Sequence, residues 1–194
     1  MKLLCHFLLV LGLLFVGCSE TKNSDTPTTL FPIDELIDTQ INQLGQGGYT
    51  LEKLGAVDST RSQVVFVPSH DKWKDELDIF RQMGIVNKPI YRHGYQIEGH
   101  LKDLKSNLKI TQYSSNSSPL SLLRIYYQDH VSKLRRIEAI ISESNRLYAS
   151  KKTLTLEFEE VSGKLLLTHY QVAGFQKVAL RDTVTFHTQG TINF

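Results

Sequence analysis

In the second half of the chain apolar residues recur at every second position. A period of two is what a half-buried β-strand imposes, because successive side chains point to opposite faces. Leu154, Leu156 and Phe158 alternate with Thr153, Thr155 and Glu157. Leu165 and Leu167 continue the pattern in "KLLLTHYQV", and Val178, Leu180, Val184 and Phe186 share one parity in "KVALRDTVTF". "SNLKITQY", "LLRIYYQ" and "LRRIEAII" add further strands, so about six or more follow one another. The separators "SSNSSP", "SESN" and "VSG" are too short for crossover helices, so neighbouring strands must run antiparallel.

Two segments break this rhythm with a helical one. Phe31 and Pro32 open the first, where Ile33, Leu36, Ile37, Ile41 and Leu44 recur at helical spacing until Gly45. Proline suits a first helical position and glycine a stop, so about three turns of amphipathic helix are expected. "PSHDKWKDELDIFRQMG" is the second. Ser69 or Asp71 can cap it, Trp73, Leu77, Phe80 and Met83 fall on one face, and Gly84 ends it. The acidic Asp75, Glu76 and Asp78 are then expected on its solvated outer face. Between the helices, "YTLEKLGAV" and "RSQVVFV" read as two short strands joined by "DST". The expected fold is α+β, a curved antiparallel sheet packed against two helices as one domain over residues 31–194.

The N-terminus obeys neither period. In "FLLVLGLLFVGCSETKNSD" a largely apolar run follows the single charge of Lys2 and ends at Gly17 and Cys18. It is shorter than the roughly 20 apolar residues a membrane-spanning helix needs, and fits the apolar core of a signal peptide. Val16, Gly17 and Cys18 resemble the lipobox of bacterial lipoproteins, with Phe15 where leucine is usual. The resemblance implies removal of residues 1–17, acylation of the Cys18 thiol and attachment to a membrane through the lipid. Ser19 after the cysteine resembles lipoproteins sent to an outer membrane, on its periplasmic or its surface face. Glu20 and Asp25 are similar to the surface-export signals of lipoproteins in Bacteroidetes. Residues 18–30, rich in Ser, Thr, Asn and Asp, read as a flexible tether. The body, through "DKWKDELDIF", "NKP" and "QKVALRDTVTFHTQGTI", resembles small uncharacterised lipoproteins of Bacteroidetes, a likeness that implies a compartment and no activity.

Composition removes several functions. The only other cysteine, Cys5, lies in the segment to be removed, so the mature domain is expected without disulfide, cysteine nucleophile or thiolate metal site. A net charge of +2 with no basic run beyond "KLRR" supplies too little field for nucleic acid. Tyr126 and Tyr127 would point to opposite faces of a strand, leaving one at most to stack on a base. No GxSxG elbow, P-loop, GxGxxG turn or HExxH helix is present, so no catalytic residue and no cofactor is assigned. His70, His93, His100, His130, His169 and His187 are scattered. Glu98 and His100, two apart, would share a strand face and offer two ligands to a metal, but no third is nearby, and no metal site is assigned. Asp129 and His130 read as a solvated loop pair.

The expected function is therefore a non-enzymatic binding or interaction module at the envelope. Its partner would be an apolar ligand, as in half-barrel lipoprotein carriers, or an envelope protein. The alternative is an envelope enzyme whose site is assembled from distant residues. A transmembrane barrel is a third reading, prompted by Phe186, Ile192 and Phe194 at one parity near the end. Alternation also puts Asp182 on the apolar face of its strand, where a lone carboxylate costs several kcal/mol. A bulge or strand end that turns it outward, a partner such as Arg124 or Arg136, or a wet cavity would each resolve the conflict.

Overall fold

A computed structural model describes residues 29–194. The chain runs α1 (Ile33–Gly47), β1 (Thr50–Val57), β2 (Thr60–Phe66), α2 (His70–Leu77), a 3-10 helix (Asp78–Asn87), a one-turn α3 (Pro89–Arg92), β3 (Gln96–Lys102), β4 (Lys109–Ser114), β5 (Leu120–Tyr127), β6 (Leu134–Ser144), β7 (Tyr148–Val161), β8 (Lys164–Val178) and β9 (Val184–Asn193). The strands form one antiparallel sheet of nine in the order β2-β1-β9-β8-β7-β6-β5-β4-β3. It is the α+β architecture the alternation implies. The sheet is not closed, since β2 and β3 are its two edges, so the described residues make no barrel. No helix among them is long and apolar enough to cross a membrane.

One face of the sheet carries the core. Leu123 and Ile125 of β5, Ile137 and Ala139 of β6, Leu154 and Leu156 of β7, and Tyr170 of β8 are all buried there. Ile33, Ile37, Ile41 and Leu44 of α1 pack onto it, as do Trp73 and Leu77 of α2 and Phe80, Met83 and Val86 of the 3-10 helix. Each large apolar side chain fully removed from water contributes about 1.5–3 kcal/mol, so this layer holds the helices to the sheet. Ser69 caps α2, its hydroxyl accepting from the Lys72 amide at 3.3 Å.

Three local expectations are corrected. Gly45 does not stop α1, which continues to Gly48 in the left-handed conformation, φ 65°. Gly45 instead lets the start of α2 approach, because a Cβ there would lie 2.8 Å from the His70 ring. The second helix stays α-helical only to Leu77 and tightens into the 3-10 segment, yet it keeps Phe80 and Met83 inside. The stretch "KVALRDTVTF" is not one strand. β8 ends at Val178, Leu180 turns through φ 62° and is fully exposed, and β9 begins at Val184.

Asp182 therefore sits exposed in the β8–β9 turn. Of the three resolutions of its misplaced charge, the strand end is the one the fold uses, and Arg136 pairs with Asp103 and Glu138 instead. Asp182→Ala is expected to change unfolding free energy by no more than about 0.5 kcal/mol. A denaturant melt showing a loss several times larger would contradict the turn.

Candidate functional site

At 3.6 residues per turn α1 presents two adjacent stripes. Ile33, Ile37, Ile41 and Leu44 point into the core. Pro32, Leu36 and Gln43, each one residue before a core position, form with Thr39 the neighbouring stripe and wall one side of a cleft of about 520 Å³. Thr111 and Tyr113 of β4, Ile125 of β5, Leu134 of β6 and Leu165 of β8 form the opposite wall, and Leu30, Phe31 and Val131 complete it. The lining holds one carboxylate, Glu35, and neither histidine nor cysteine. Such walls can hold an apolar molecule by excluding water. They present no nucleophile paired with a base.

Polar side chains fix the geometry of this cleft. Gln40, 1% exposed, donates from Nε2 to the Leu165 carbonyl at 3.0 Å and accepts from the Leu167 amide at 2.7 Å. Its amide thus substitutes for a strand partner and ties α1 to β8. Asn87 clamps the entering chain: Oδ1 accepts from the Leu30 amide at 2.8 Å, and Nδ2 donates to the Phe31 carbonyl at 2.7 Å. The Tyr113 hydroxyl donates to the Leu30 carbonyl at 3.2 Å. Burial, with Tyr127 adding, holds the Tyr113 hydroxyl above the ordinary tyrosine range.

A second polar cluster fastens α2. Lys53 Nζ of β1 donates to both Glu76 oxygens at 2.8 and 2.7 Å, and the Tyr170 hydroxyl of β8 donates to the same carboxylate at 2.8 Å. The Glu76 side chain is 14% exposed. The sequence pattern places Glu76 with Asp75 and Asp78 on a solvated face, and the fold overturns that expectation. Asp75 pairs with Lys72 and Asp78 with Arg81 at the surface, while Glu76 turns inward. Arg81 also pairs with Asp38 and Asp34 of α1. The Asp38 hydrogen bond chiefly holds the guanidinium pKa above its ordinary value.

The other residues considered from sequence are dispersed. Cys18 lies outside the described residues. Glu98 and His100 do not share a face, because β3 bulges between Glu98 and Leu101 and His100 adopts φ 59°. Glu98 accepts from Gln112 at 2.8 Å, whereas the His100 ring lies 3.3 Å from the hydroxyl of the buried Tyr127. Among the described residues no group of three or more His, Cys, Asp and Glu is placed to hold a metal ion. Asp129 and His130 are exposed in the β5–β6 loop. Tyr126 and Tyr127 do point to opposite faces. Tyr127 enters the core, while Tyr126 lies under Arg136, 4.1 Å from its ring centre, and donates to Glu138 at 2.6 Å.

Gln40, Asn87 and Tyr113 are the site residues that sequence reasoning does not single out. Gln40 offers one signal, a polar residue interrupting the apolar stripe of α1. Comparison of the chain with family models, with curated proteins and with solved structures finds no match.

Proposed function

We propose that this chain is a lipid-anchored protein of the bacterial outer membrane, held through Cys18, whose domain is a non-enzymatic binding module for an apolar ligand. The cleft between α1 and the sheet carries the ligand half of the reading. Its volume of about 520 Å³ falls within the roughly 300–1,000 Å³ typical of small-molecule sites, and its walls are mainly apolar. The anchor half rests on the Val16, Gly17, Cys18 sequence. The two halves meet at Leu30, whose backbone is fixed at the cleft by Asn87 and Tyr113. The chain from Cys18 to Leu30 reaches at most about 40 Å when fully extended. A lipid on Cys18 therefore keeps the cleft within that distance of the bilayer.

Each half has its own test. Cys18→Ala is expected to move the protein from the membrane to the soluble fraction or to leave the unprocessed chain, and unchanged partition would sink the anchor. For the ligand, a fluorescent fatty acid titrated into the protein is expected to bind and to be displaced by unlabelled fatty acid. Leu36→Glu puts a carboxylate into the apolar wall and should weaken that binding by about tenfold or more, the equivalent of 1.4 kcal/mol. Circular dichroism should stay unchanged, because Leu36 is only partly buried. Equal binding by both proteins, or binding by neither, would dispose of the cleft as the site.

A further inference from the structure

The two edges of the sheet are built differently. β3 is the kind of edge that resists further pairing: it is bulged, carries Glu98 and Lys102, and has a register shift between Glu98 and Leu101. β2 is far less protected. Its seven residues pair with β1 in unbroken register from Thr60 to Phe66, with no proline, no bulge and a single charge at Arg61. Its outer side leaves a regular row of backbone donors and acceptors without partners among the described residues. Valines stand exposed on both faces of this edge, Val64 at 51% and Val65 at 60%.

We propose that β2 pairs antiparallel with β2 of a second copy of this chain, joining two sheets about a two-fold axis at Gln63. A row of unpaired amides and carbonyls is matched by another extended strand, and charge selects which strand. With Gln63 opposite its own copy, Thr60 faces Phe66, Arg61 faces Val65 and Ser62 faces Val64, so all seven residues pair. Arg61 and Glu52 lie on the same face of the sheet, since Ala56 pairs with Arg61 and Glu52 with Val65. Across the two-fold, each Arg61 faces the partner's Val65 and, one strand further, the partner's Glu52. Within its own chain the Arg61 guanidinium has no ion pair or hydrogen bond among the described residues, and Glu52 is met only by Gln63 at 2.8 Å. The dimer would supply two Arg61–Glu52 pairs at once. A slip of two residues toward Ser62 brings the two arginines diagonally together, and a slip toward Val64 leaves Thr60 and Arg61 unpaired.

The helices leave room for this pairing. α2 reaches from Lys53 on β1 to Tyr170 on β8 and so lies over β9. The two copies of β9 are five strand spacings apart, about 24 Å. That exceeds the helix diameter of about 10–12 Å.

The test uses the full chain in bacterial membranes, where Gln63→Cys should close to its own copy on addition of copper phenanthroline. Directly opposed Cα atoms in an antiparallel pair are about 4.5–5.5 Å apart, inside the range a disulfide spans. A crosslinked dimer is expected for Gln63→Cys, well above the yields of the unaltered chain and of Glu98→Cys on the opposite edge. Arg61→Glu and Glu52→Arg, each combined with Gln63→Cys, should lower that yield severalfold, and the double exchange should restore it. Light scattering on the full chain in detergent provides a reading free of introduced cysteine: two chains per particle, falling to one on Val64→Lys. A single chain per particle without substitution, equal crosslinking at both edges, or a double exchange that restores nothing would overturn the proposal. A crosslink to some other protein would also overturn it, in favour of a foreign strand.

Discussion

Glu76→Ala should lower unfolding free energy by about 2–3 kcal/mol in urea melts at neutral pH. Removing the carboxylate leaves the Lys53 ammonium without its counter-charge and the Tyr170 hydroxyl without its acceptor. Loss of one partner from a fully buried pair costs about 3–5 kcal/mol. The Lys53 side chain is 31% exposed, so water recovers part of that and the lower figure applies. Tyr170→Phe removes a single hydrogen bond to a charged group and should cost less, about 1.5 kcal/mol. An Ala variant no worse than the Phe variant would mean that the cluster does not hold α2 to the sheet.

The same cluster sets an alkaline limit. Burial, reinforced by the Glu76 hydrogen bond and charge, raises the Tyr170 hydroxyl well above the ordinary tyrosine range. Burial also raises Tyr95, Tyr113 and Tyr126. A group whose pKa is higher folded than unfolded favours folding below the unfolded value, and that contribution is lost as pH climbs past it. Stability is thus flat with respect to these hydroxyls at neutral pH and falls from about pH 10 upward, where unfolded tyrosine begins to ionise. Tyr170→Phe should make that alkaline decline shallower.

How far the sequence could be read follows from the range over which each signal acts. Alternation is local, and the strands holding Leu123, Ile137, Leu154 and Tyr170 lie where it puts them. The helical stripes of Ile33–Leu44 and Trp73–Met83 likewise face the core. The turn at Leu180 was not legible, because "ALRDT" contains neither glycine nor proline and the parity of Val178 and Val184 happens to match across it. Glu76 was misplaced because its neighbours Asp75 and Asp78 are solvated, and only contact with Lys53 and Tyr170 marks it as different. Gln40 and Asn87 act on backbone groups more than fifty residues away, a distance no periodicity reports. The cleft was hidden for another reason: a wall of a ligand site and a wall of a filled core demand the same apolar side chains, so Leu36 and Ile125 carry no mark of which they line.

Gly190→Ala is expected to be as damaging as the loss of Glu76, about 3 kcal/mol by overpacking. Gly190 lies on β9 directly opposite Tyr170 of β8. A Cβ there would lie 2.2 Å from the Tyr170 ring, far inside contact distance. The strand itself tolerates alanine, since φ at Gly190 is not in the left-handed region, so the cost comes entirely from that ring. Tyr170 has little freedom to yield. Its hydroxyl is bound to Glu76 at 2.8 Å, and Phe80 meets it edge-on with ring centres 5.7 Å apart. Moving the ring enough to admit a methyl group breaks the hydrogen bond to Glu76 and opens the packing under α2 together. A double-mutant cycle separates this from a general weakening of β9. With Tyr170→Ala as background the obstacle is gone, and adding Gly190→Ala should cost no more than about 0.5 kcal/mol, giving a coupling energy of roughly 2–3 kcal/mol between the two sites. If the two losses simply add, the glycine is required for some reason other than the tyrosine above it.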